Sequence, residues 1–521
     1  MKATGRNSGR YAAPFRAWTS LLWIALSTHA ADWPAYRGPT HDGVSTDRLH
    51  TNWTGSVTNP LWVRPLTNCL GSLVVAGGRV FTQTRRLING SSTEACVALD
   101  STNGNELWAT PVDGALYPQG GVGFDDGPRS TPAVDGGSVF LLSSYLKLYR
   151  LNATNGAVIW RKDLRALYGG DVIEYQNTAS PLLEGGLIFL NANCHPATLL
   201  ALHPEDGSLA WRAQDESMTH STPTPATLHG VRQILFATQS GLVSVDPATG
   251  ALLWRFPYPF QYFVSLGMSP VVSDDVVFIG GGYVYGMGSI AIQASLNDGL
   301  WTATALWSTN NPSSHWMTPV AYQGFLYGQF GIQSFDSVNA QLKCIDILTG
   351  QVRWSVNGFG RGATMLVDGH LVVLTEQGSL VLVRPDPNGY AELGRFLAVP
   401  GYSGITNKCW NMPAVADGRI FVRSTSYVAA FDLSVPSLRI DPPQPVNPGV
   451  FDVTIRTVTG APLSAERAAA LAVLATTNLN QSVTQWSPLT NPAVLAGGVV
   501  RMRTSNQPAL PEQYFIVSEP K

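Results

Sequence analysis

Aromatic, cationic and amide side chains recur at one kind of position in this 521-residue sequence, in the short segments that precede predicted hairpins. Aromatic walls with a few convergent polar groups are typical of small-molecule pockets. Arginine favours an anionic group over a neutral one, because its planar guanidinium matches carboxylate and phosphate geometry. We therefore predict a ligand pocket, its candidate residues being Arg129, Asn177, His220, His315, Trp316, Arg361, Trp410 and Asn411.

Oxygen-bearing side chains in the same segments suggest a second chemistry. Asp125, Asp126, Glu174 and Asn177 carry the carboxylate and amide oxygens that calcium prefers. The alternative interpretation is structural, with polar residues in solvated loops, arginines paired to Asp125 or Asp126, and the tryptophans filling a channel. No Cys or His spacing resembles a zinc site. The sequence identifies no catalytic residue and demonstrates no metal site or cofactor.

A repeated sequence motif predicts the strands and turns that position these residues. Alternating apolar residues, an Asp and Gly turn and a second strand ending in Trp recur, for example at Ala98–Trp108 and Ser244–Trp254. Asp and Gly are the residues that a tight hairpin turn needs. Each copy follows another hairpin, usually opened by Pro, as at Pro132 and Pro270. Two hairpins per repeat make the four-stranded blade of a β-propeller.

Counting these hairpins predicts eight blades. The first hairpins start near Leu73, Pro132, Pro181, Pro223, Pro270, Pro319, Met365 and Pro413. Closing aromatics number only seven, at Trp108, Trp160, Trp211, Trp254, Trp307, Trp354 and Phe396. The last blade therefore lacks a strand, and we expect the orphan strand around Trp62 to complete it and close the ring. Each closing Trp is expected to pack against the next blade.

The rest of the chain divides into three further parts. Residues 1–30 resemble a secretory signal peptide, with a basic start, a short apolar core and small residues at 28–30. The propeller is assigned to 31–433, a Pro-rich linker to 434–449 and a small β-rich module to 450–521. We expect export to the periplasm or beyond. No Cys follows the cleavage position, so a lipoprotein is not predicted, and no later apolar run is long enough for a transmembrane segment.

Charge and cysteine content limit the partners. The 33 basic and 35 acidic residues nearly balance, and no basic run or stripe occurs, which argues against a nucleic-acid partner. The five cysteines are an odd number, so at least one is unpaired within the chain. Cys69 and Cys409 precede the first and last hairpins by the same offset, and a disulfide between them is a hypothesis.

The repeat resembles a known family. The phrases at Asp246–Trp254 and Asp346–Trp354 and the opening Asp32–Gly43 resemble exported bacterial proteins with pyrroloquinoline-quinone-type (PQQ-type) propeller repeats. These repeats are shared by the outer-membrane assembly propeller lipoprotein, a protein-binding scaffold, and by quinoprotein alcohol dehydrogenases. The resemblance spans about Asp32 to Leu433. It implies an all-β, eight-bladed propeller and leaves activity to be argued from the site.

Two functions follow from this resemblance. The favoured one is a non-catalytic binding or scaffold protein of the cell envelope. Its partner is another envelope protein or a small ligand, and the arginines favour an anionic one. The alternative is a PQQ-dependent alcohol or sugar dehydrogenase, which would hold PQQ and calcium on the axis beside two adjacent cysteines; no Cys-Cys pair occurs in this chain. A third, glycan processing, requires paired carboxylates facing each other across the channel.

Overall fold

The structure is a computed structural model, and its description covers most of the chain after the predicted signal peptide. It describes residues 32–53, 55–117, 126–258, 266–282, 288–309, 314–331, 340–403, 406–447, 450–463, 465–478, 480–505 and 514–518. The signal peptide predicted for residues 1–30 lies outside these ranges. Across them, no helix has the length and apolar character needed to span a membrane.

Strands dominate the chain from the first described residues. Two short strands come first, β1 (Val44–Ser45) and β2 (Trp62–Pro65). Seven sheets then follow in sequence order, each built on four consecutive antiparallel strands, and β1 adds a fifth, parallel strand to the seventh. The first three are sheet 1, β3 (Val74–Ala76), β4 (Arg79–Ile88), β5 (Ser91–Asp100) and β6 (Glu106–Gly114); sheet 2, β7 (Ala133–Asp135), β8 (Ser138–Leu142), β9 (Lys147–Asn152) and β10 (Val158–Asp163); and sheet 3, β11 (Leu182–Glu184), β12 (Leu187–Asn191), β13 (Leu199–Leu202) and β14 (Leu209–Ala213). A short helix, α1 (Leu164–Tyr168), follows sheet 2.

The next four sheets repeat the same order. They are sheet 4, β15 (Thr224–Leu228), β16 (Val231–Thr238), β17 (Gly241–Val245) and β18 (Leu252–Pro257); sheet 5, β19 (Val271–Ser273), β20 (Val276–Gly280), β21 (Ser289–Asn297) and β22 (Leu300–Thr309); sheet 6, β23 (Val320–Tyr322), β24 (Phe325–Phe330), β25 (Gln341–Asp346) and β26 (Val352–Val356); and sheet 7, β27 (Ala363–Val367), β28 (His370–Leu374), β29 (Ser379–Arg384) and β30 (Ala391–Leu397). The middle strands β8 and β17 are buried along their whole length, whereas the outermost β22 alternates between exposed and half-buried residues.

The last propeller sheet joins the two ends of the repeat region. Sheet 8 contains β31 (Ala414–Ala416), β32 (Arg419–Arg423) and β33 (Tyr427–Asp432), and its fourth strand is β2, with Trp62 opposite Ala430. The first strands β3 and β31 also touch, so sheet 1 neighbours sheet 8. In the described residues up to Asp432, the strands thus form eight sheets around one ring. The predicted all-β propeller fold and its closure by an early strand are confirmed.

Neighbouring sheets are held together by the repeated Trp and Gly. The indole N–H of Trp108 in sheet 1 donates to the Ala153 carbonyl in the turn of sheet 2, with N and O 3.1 Å apart. Gly156 in that turn has φ +72°, and a Cβ there would lie 2.6 Å from the Trp108 ring. Equivalent contacts join Trp62 to Ser101 and Gly104, Trp160 to Pro204 and Gly207, Trp211 to Pro247 and Gly250, and Trp307 to Ile347 and Gly350. The predicted packing of Trp against the next blade is therefore observed.

Three sheet boundaries depart from this pattern. Trp354 donates to the Asp386 carbonyl in the turn of sheet 7 at 2.7 Å, but a Cβ at Gly389 in that turn would meet nothing within 4 Å. Trp254 donates to the Gln233 side chain of its own sheet, with N and O 2.7 Å apart. At the position of the seventh closing aromatic, Phe396 packs against Phe431 and Trp53, with ring centroids 4.9 and 5.4 Å away. Trp53 belongs to the N-terminal segment, so this segment contributes a ring that the repeat itself does not supply.

Residues after the propeller form a small β-rich module. Its elements are β34 (Leu438–Ile440), β35 (Gln444–Asn447), β36 (Val450–Thr457), α2 (Ala465–Ala469), β37 (Ala472–Thr476), β38 (Ser487–Pro488), β39 (Ala493–Ala496), β40 (Val499–Ser505) and β41 (Tyr514–Ser518). Its two sheets enclose a core that includes Ile455, Val473 and Val500. The Pro-rich linker over 434–449 stays a prediction; two short strands within this range, β34 and β35, both pair with β36 of the module. Proline cannot donate a backbone hydrogen bond, so it is tolerated in short strands at the edge of a sheet.

The hypothesis of a Cys69–Cys409 disulfide is wrong for this structure. All five cysteines are buried and free. Cys69 Sγ lies 3.6 Å from the Gly71 carbonyl, and Cys409 Sγ lies 3.3 Å from the Asn407 carbonyl. Each thiol thus faces the backbone of its own loop, and burial raises the pKa of both. An equal offset along the sequence places the two cysteines in neighbouring sheets without directing their side chains at each other.

The Trp–Gly contact can be tested with two matched substitutions. Gly156→Ala and Gly137→Ala both place a Cβ at φ near +75°, but only the first meets an indole ring, since nothing lies within 4 Å at Gly137. We expect Gly156→Ala to lower the free energy of unfolding by about 1–3 kcal/mol more than Gly137→Ala, because overpacking adds to the same backbone strain. Chemical denaturation measures both, and equal losses would contradict the role of this contact.

Candidate functional site

The N-terminal segment closes one end of the propeller axis. Trp33 exchanges two backbone hydrogen bonds with Val75 in sheet 1, and the Pro34 carbonyl accepts from Val134 N in sheet 2. Arg37 reaches sheet 6, which lies four sheets away from sheet 2 in the ring. The segment therefore crosses the axis, and β1 then pairs in parallel with β27 of sheet 7. We call residues 32–49 the N-terminal plug.

Arg37 is the buried cation of the plug. Its side chain donates to the carbonyls of Thr318, Pro319 and Asp42, at 3.1, 2.8 and 2.6 Å. The residue is 2% exposed, and its Nε has no hydrogen-bond partner among the described residues. Burial lowers the pKa of the guanidinium from its ordinary value. The charge is thus held by main-chain carbonyls at the base of the axial channel.

A circle of hydroxyl groups surrounds the axis directly above the plug. Each belongs to the Ser or Thr just before a first strand, and we call the set the hydroxyl belt: Ser72, Thr131, Ser180, Thr222 and Thr318. Backbone N–H groups of neighbouring sheets donate to these oxygens. Ser72 N donates to Thr131 Oγ1, Thr131 N to Ser180 Oγ and Ser180 N to Thr222 Oγ1, each at 2.9 Å. The links from Met412 N to Ser72 Oγ and from Ser269 N to Thr318 Oγ1 measure 2.9 and 3.1 Å.

These parts enclose an axial cavity of about 470 Å³. Tyr36 and Arg37 of the plug and the hydroxyl belt contribute to its lining. The structure brings six of the eight predicted pocket residues to the same lining: Arg129, His220, His315, Trp316, Arg361 and Trp410. Their assignment as ligand-binding residues stays a prediction.

The other two predicted pocket residues need correction, because Asn177 and Asn411 do not line the cavity. Both are buried and donate to backbone carbonyls. Asn177 Nδ2 lies 3.0 Å from the Ala179 oxygen, and Asn411 Nδ2 lies 2.6 Å from the Gly71 oxygen. These amides stabilise the loops before the first strands. A polar residue next to a strand end in the sequence does not reveal which way its side chain turns.

An aromatic and cationic stack forms one wall of the cavity. The rings of Trp316 and Trp410 lie 4.5 Å apart, and His315 packs 4.6 Å from Trp316. The Arg361 guanidinium carbon and Lys408 Nζ lie 4.9 and 5.3 Å from the Trp410 ring. Such contacts favour a cation over the face of an indole.

Glu376 fixes this stack from behind. Its Oε1 accepts from Arg361 Nε at 2.7 Å and from Trp410 Nε1 at 3.2 Å, and its Oε2 accepts from Arg361 N at 3.1 Å. The Glu376 side chain is completely buried and that of Arg361 is 6% exposed. Glu376 could not be predicted from the sequence, because it lies on a different strand connection from the segments that face the cavity.

Asp126 is the single carboxylate among the described lining residues, and two cations hold it. Its oxygens lie 2.9 Å from Lys408 Nζ and 3.9 Å from Arg129 Nη2. Sequence reasoning left Arg37, Lys408 and the hydroxyl belt out of the predicted pocket. The belt could have been predicted from the Ser or Thr that precedes Pro132, Pro181, Pro223 and Pro319. For Arg37, the sequence offers no indication other than its place in the opening motif, Asp32–Gly43.

The oxygen-bearing residues proposed for calcium or for a carboxylate pair have other contacts or lie elsewhere. Asp125 lies outside the described residues, Asp126 is engaged by Lys408 and Arg129, and Asn177 donates to main-chain carbonyls. Glu174 does not line the cavity. Within the described parts of the chain, no cluster of three or more His, Cys, Asp or Glu residues could hold a metal ion. These donors do not fit PQQ with its calcium, nor do they form the paired carboxylates of a glycoside hydrolase.

Glu94 is a buried acid outside the cavity, and its contacts give it a structural role. Its carboxylate accepts from Tyr117 Oη at 2.9 Å and from Ser144 N at 3.1 Å. Burial raises the pKa of Glu94 to about 7. Because Glu94 lies on β5 and Ser144 follows β8, this carboxyl group joins sheets 1 and 2.

Comparison with known proteins identifies the family. A family model described as outer membrane protein assembly factor BamB matches residues 92–356, just over half of the chain. The chain belongs to this family. A protein with the same description from Moranella endobia (strain PCIT) is 25% identical over 272 residues, which is 50% of this chain and 64% of the relative. Another from Yersinia pestis is 22% identical over 330 residues, 60% of this chain and 75% of the relative. The chain thus spans less than two thirds of the first relative.

Solved structures agree on the fold. Quinohemoprotein alcohol dehydrogenase from Comamonas testosteroni superposes with a TM-score of 0.54 and 13% identity, over 80% of this chain and 82% of that structure. At this identity the similarity shows the propeller fold alone, and the contacts inside the cavity must supply the chemistry.

The buried pair behind the stack can be tested against an exposed pair of the same type. Glu376→Gln leaves Arg361 buried without its carboxylate, and we expect a loss of about 3–5 kcal/mol in unfolding free energy. Glu392→Gln breaks the pair with Arg395, whose side chains are 31% and 38% exposed, and should cost less than about 1 kcal/mol. Urea denaturation followed by tryptophan fluorescence compares the two. Similar losses would show that the Arg361 pair does not stabilise the wall.

Proposed function

We propose that this protein is an exported, non-catalytic binding or scaffold protein of the cell envelope that takes part in the assembly of outer membrane proteins. The composition of the axial cavity carries the proposal. Cationic, aromatic and hydroxyl side chains line it, and its described carboxylate, Asp126, is paired with Lys408. General acid–base catalysis needs a group that can exchange a proton with the substrate, and a carboxylate held by cations is a poor donor or base. Membership of the BamB family supports the same function.

The proposed partner is another envelope protein that docks at the mouth of the cavity. We assign to the mouth the half-buried lining residues Tyr175, Tyr402, Arg129, Trp316 and Trp410. Tyr, Trp and Arg are the residue types that contribute most to protein interfaces. Of the six predicted pocket residues, Arg129, His315, Trp316 and Trp410 would contribute to this binding surface, whereas His220 and Arg361 are buried in the wall.

The proposed location is periplasmic or extracellular. The expectation that the chain is not a lipoprotein depends on residues before Asp32, which lie outside the described ranges, and the comparisons lend it no support. The name of the relatives, as outer membrane protein assembly factors, favours a place at that membrane.

Site-specific photo-cross-linking in cells of the source organism tests the partner. We expect a photoreactive residue at Tyr402, on the mouth, to give a discrete adduct with one envelope protein, identified by mass spectrometry. Leu348 is the control, because it is 58% exposed in the turn between β25 and β26, at the opposite end of its sheet from the mouth. Adducts at Leu348 but not at Tyr402 would contradict docking at the mouth.

Incubation with PQQ and calcium tests the dehydrogenase alternative. We expect the purified chain to show neither quinone absorbance after gel filtration nor dye-linked alcohol oxidation, since Asp126, the carboxylate among the described lining residues, is engaged by Lys408 and Arg129. Circular dichroism verifies that the protein is folded. Retained absorbance together with alcohol oxidation would replace the scaffold proposal by a quinoprotein dehydrogenase.

A further inference from the structure

We propose that the axial cavity binds a phosphate group, with Arg37 and the hydroxyl belt as its inner ligands and Arg129 and Trp316 nearer the mouth. The inference rests on the proposed role of the cavity as a binding site and assigns the chemistry of what enters it. Three features of the lining carry it, each judged among the described residues: a buried cation whose hydrogen-bond acceptors are carbonyls, hydroxyls that donate to no other residue, and an indole N–H without an acceptor.

The first feature is the environment of Arg37. A buried charge is costly unless it is paired and hydrogen-bonded. The hydrogen-bond partners of Arg37 in the described chain are the three carbonyls of Thr318, Pro319 and Asp42, and its Nε has none. Carbonyl groups satisfy donors without neutralising the positive charge. The Asp42 carboxylate favours the charged guanidinium from nearby, but Asp42 hydrogen-bonds Arg37 through its main-chain carbonyl. An anion in the cavity that Arg37 lines would bring negative charge into direct contact with it.

The second feature is the direction of the hydrogen bonds in the hydroxyl belt. A hydroxyl group has one proton to donate and two lone pairs to accept. Backbone N–H groups already occupy a lone pair of Ser72, Thr131, Ser180, Thr222 and Thr318. None of these five hydroxyls donates a hydrogen bond to another described residue. Their protons are therefore available to an acceptor in the cavity that all five line.

The third feature is the set of donors nearer the mouth. Trp316 Nε1 is buried and has no hydrogen-bond partner in the described parts of the chain, and an indole nitrogen can only donate. Arg129 lies 3.9 Å from Asp126, whose other oxygen is bonded to Lys408 at 2.9 Å. Cations at the mouth attract an anion into a cleft of low dielectric. The described lining thus presents donors and positive charge from its base to its mouth.

A tetrahedral oxyanion fits this arrangement better than a carboxylate. The donors surround the axis on several sheets and on the plug, so they approach a central group from several directions. A carboxylate offers two oxygens in one plane, whereas phosphate offers oxygens in four directions and carries more charge. The two tryptophan rings stack on each other, and Arg361 and Lys408 pack on Trp410. The wall therefore provides donor edges rather than an open platform for an aromatic ligand.

Isothermal titration calorimetry of the full chain with inorganic phosphate tests the proposal, with sodium chloride at equal ionic strength as the reference. We expect saturable binding of one phosphate in the millimolar range or tighter. Arg37→Gln and Arg129→Gln should each weaken it about tenfold, because a hydrogen bond to a charged group contributes that much. Arg165→Gln removes the same charge at a side chain that is 44% exposed on α1 and should leave the affinity unchanged.

Trp316→Phe keeps the test decisive if Arg37→Gln does not fold. It removes the indole N–H while retaining an aromatic ring, and we expect affinity to fall several-fold. Wild-type protein that shows no saturable phosphate binding, or Arg129→Gln and Trp316→Phe that bind as tightly as Arg165→Gln, would overturn the proposal. The Tyr402 cross-link is independent of this result, so loss of phosphate binding with an intact cross-link rejects the ligand and retains the partner.

Repeating the titration with glycerol 1-phosphate in place of inorganic phosphate distinguishes the source of the bound phosphate group. Tighter binding of glycerol phosphate supports the site with a phospholipid head or another organophosphate as its ligand. Equal or weaker binding supports the site with free phosphate as its ligand. Binding of neither compound overturns the proposal.

Discussion

The packing of an indole ring on a glycine turn of the next sheet is the contact on which the propeller depends. A four-stranded sheet of this kind has two apolar faces and cannot bury them alone, so each sheet needs its neighbours. The Trp108 ring covers Gly156, and its N–H satisfies the Ala153 carbonyl in the same turn. One residue thereby provides both apolar burial and a hydrogen bond. Because the same pair recurs at most boundaries, it fixes the spacing of the sheets, and this spacing sets the width of the axial channel.

A ring of sheets has an open axial channel, and the repeated strands do not close it. The first strands face the axis, and their leading residues would expose backbone N–H groups there without partners. The hydroxyl belt satisfies these groups between neighbouring sheets, as Thr131 does for Ser72 N. The plug then covers one end, with Trp33 paired to sheet 1 and β1 paired to sheet 7. Closure of the ring by β2 and closure of the channel by the plug both use residues that precede the first complete sheet.

The repeat allowed the fold to be predicted from the sequence. The site was only partly predictable, because the sequence does not show which way each side chain points. Periodic Asp, Gly and Trp predicted the sheets, the pairing of Trp62 with sheet 8 and the Trp packing, because these are local patterns repeated many times. Single residues were harder. Asn177 and Asn411 turn into their loops, Cys69 and Cys409 face separate carbonyls, and β34 and β35 within 434–449 pair with β36. Each depends on contacts between distant parts of the chain that no sequence window contains.

The features that distinguish this protein lie where the repeat is broken. Positions that recur in every sheet are constrained by the packing of the ring, so they carry little information about a ligand. Met412 occupies the place where other sheets have a belt hydroxyl, and Arg37 comes from a segment with no counterpart elsewhere in the chain. Trp316, Lys408 and Trp410 likewise belong to segments that differ from sheet to sheet. A propeller of the quinohemoprotein type can share the strands and yet present other donors on its axis, because its axial residues are free to change while the Trp–Gly contacts hold the ring.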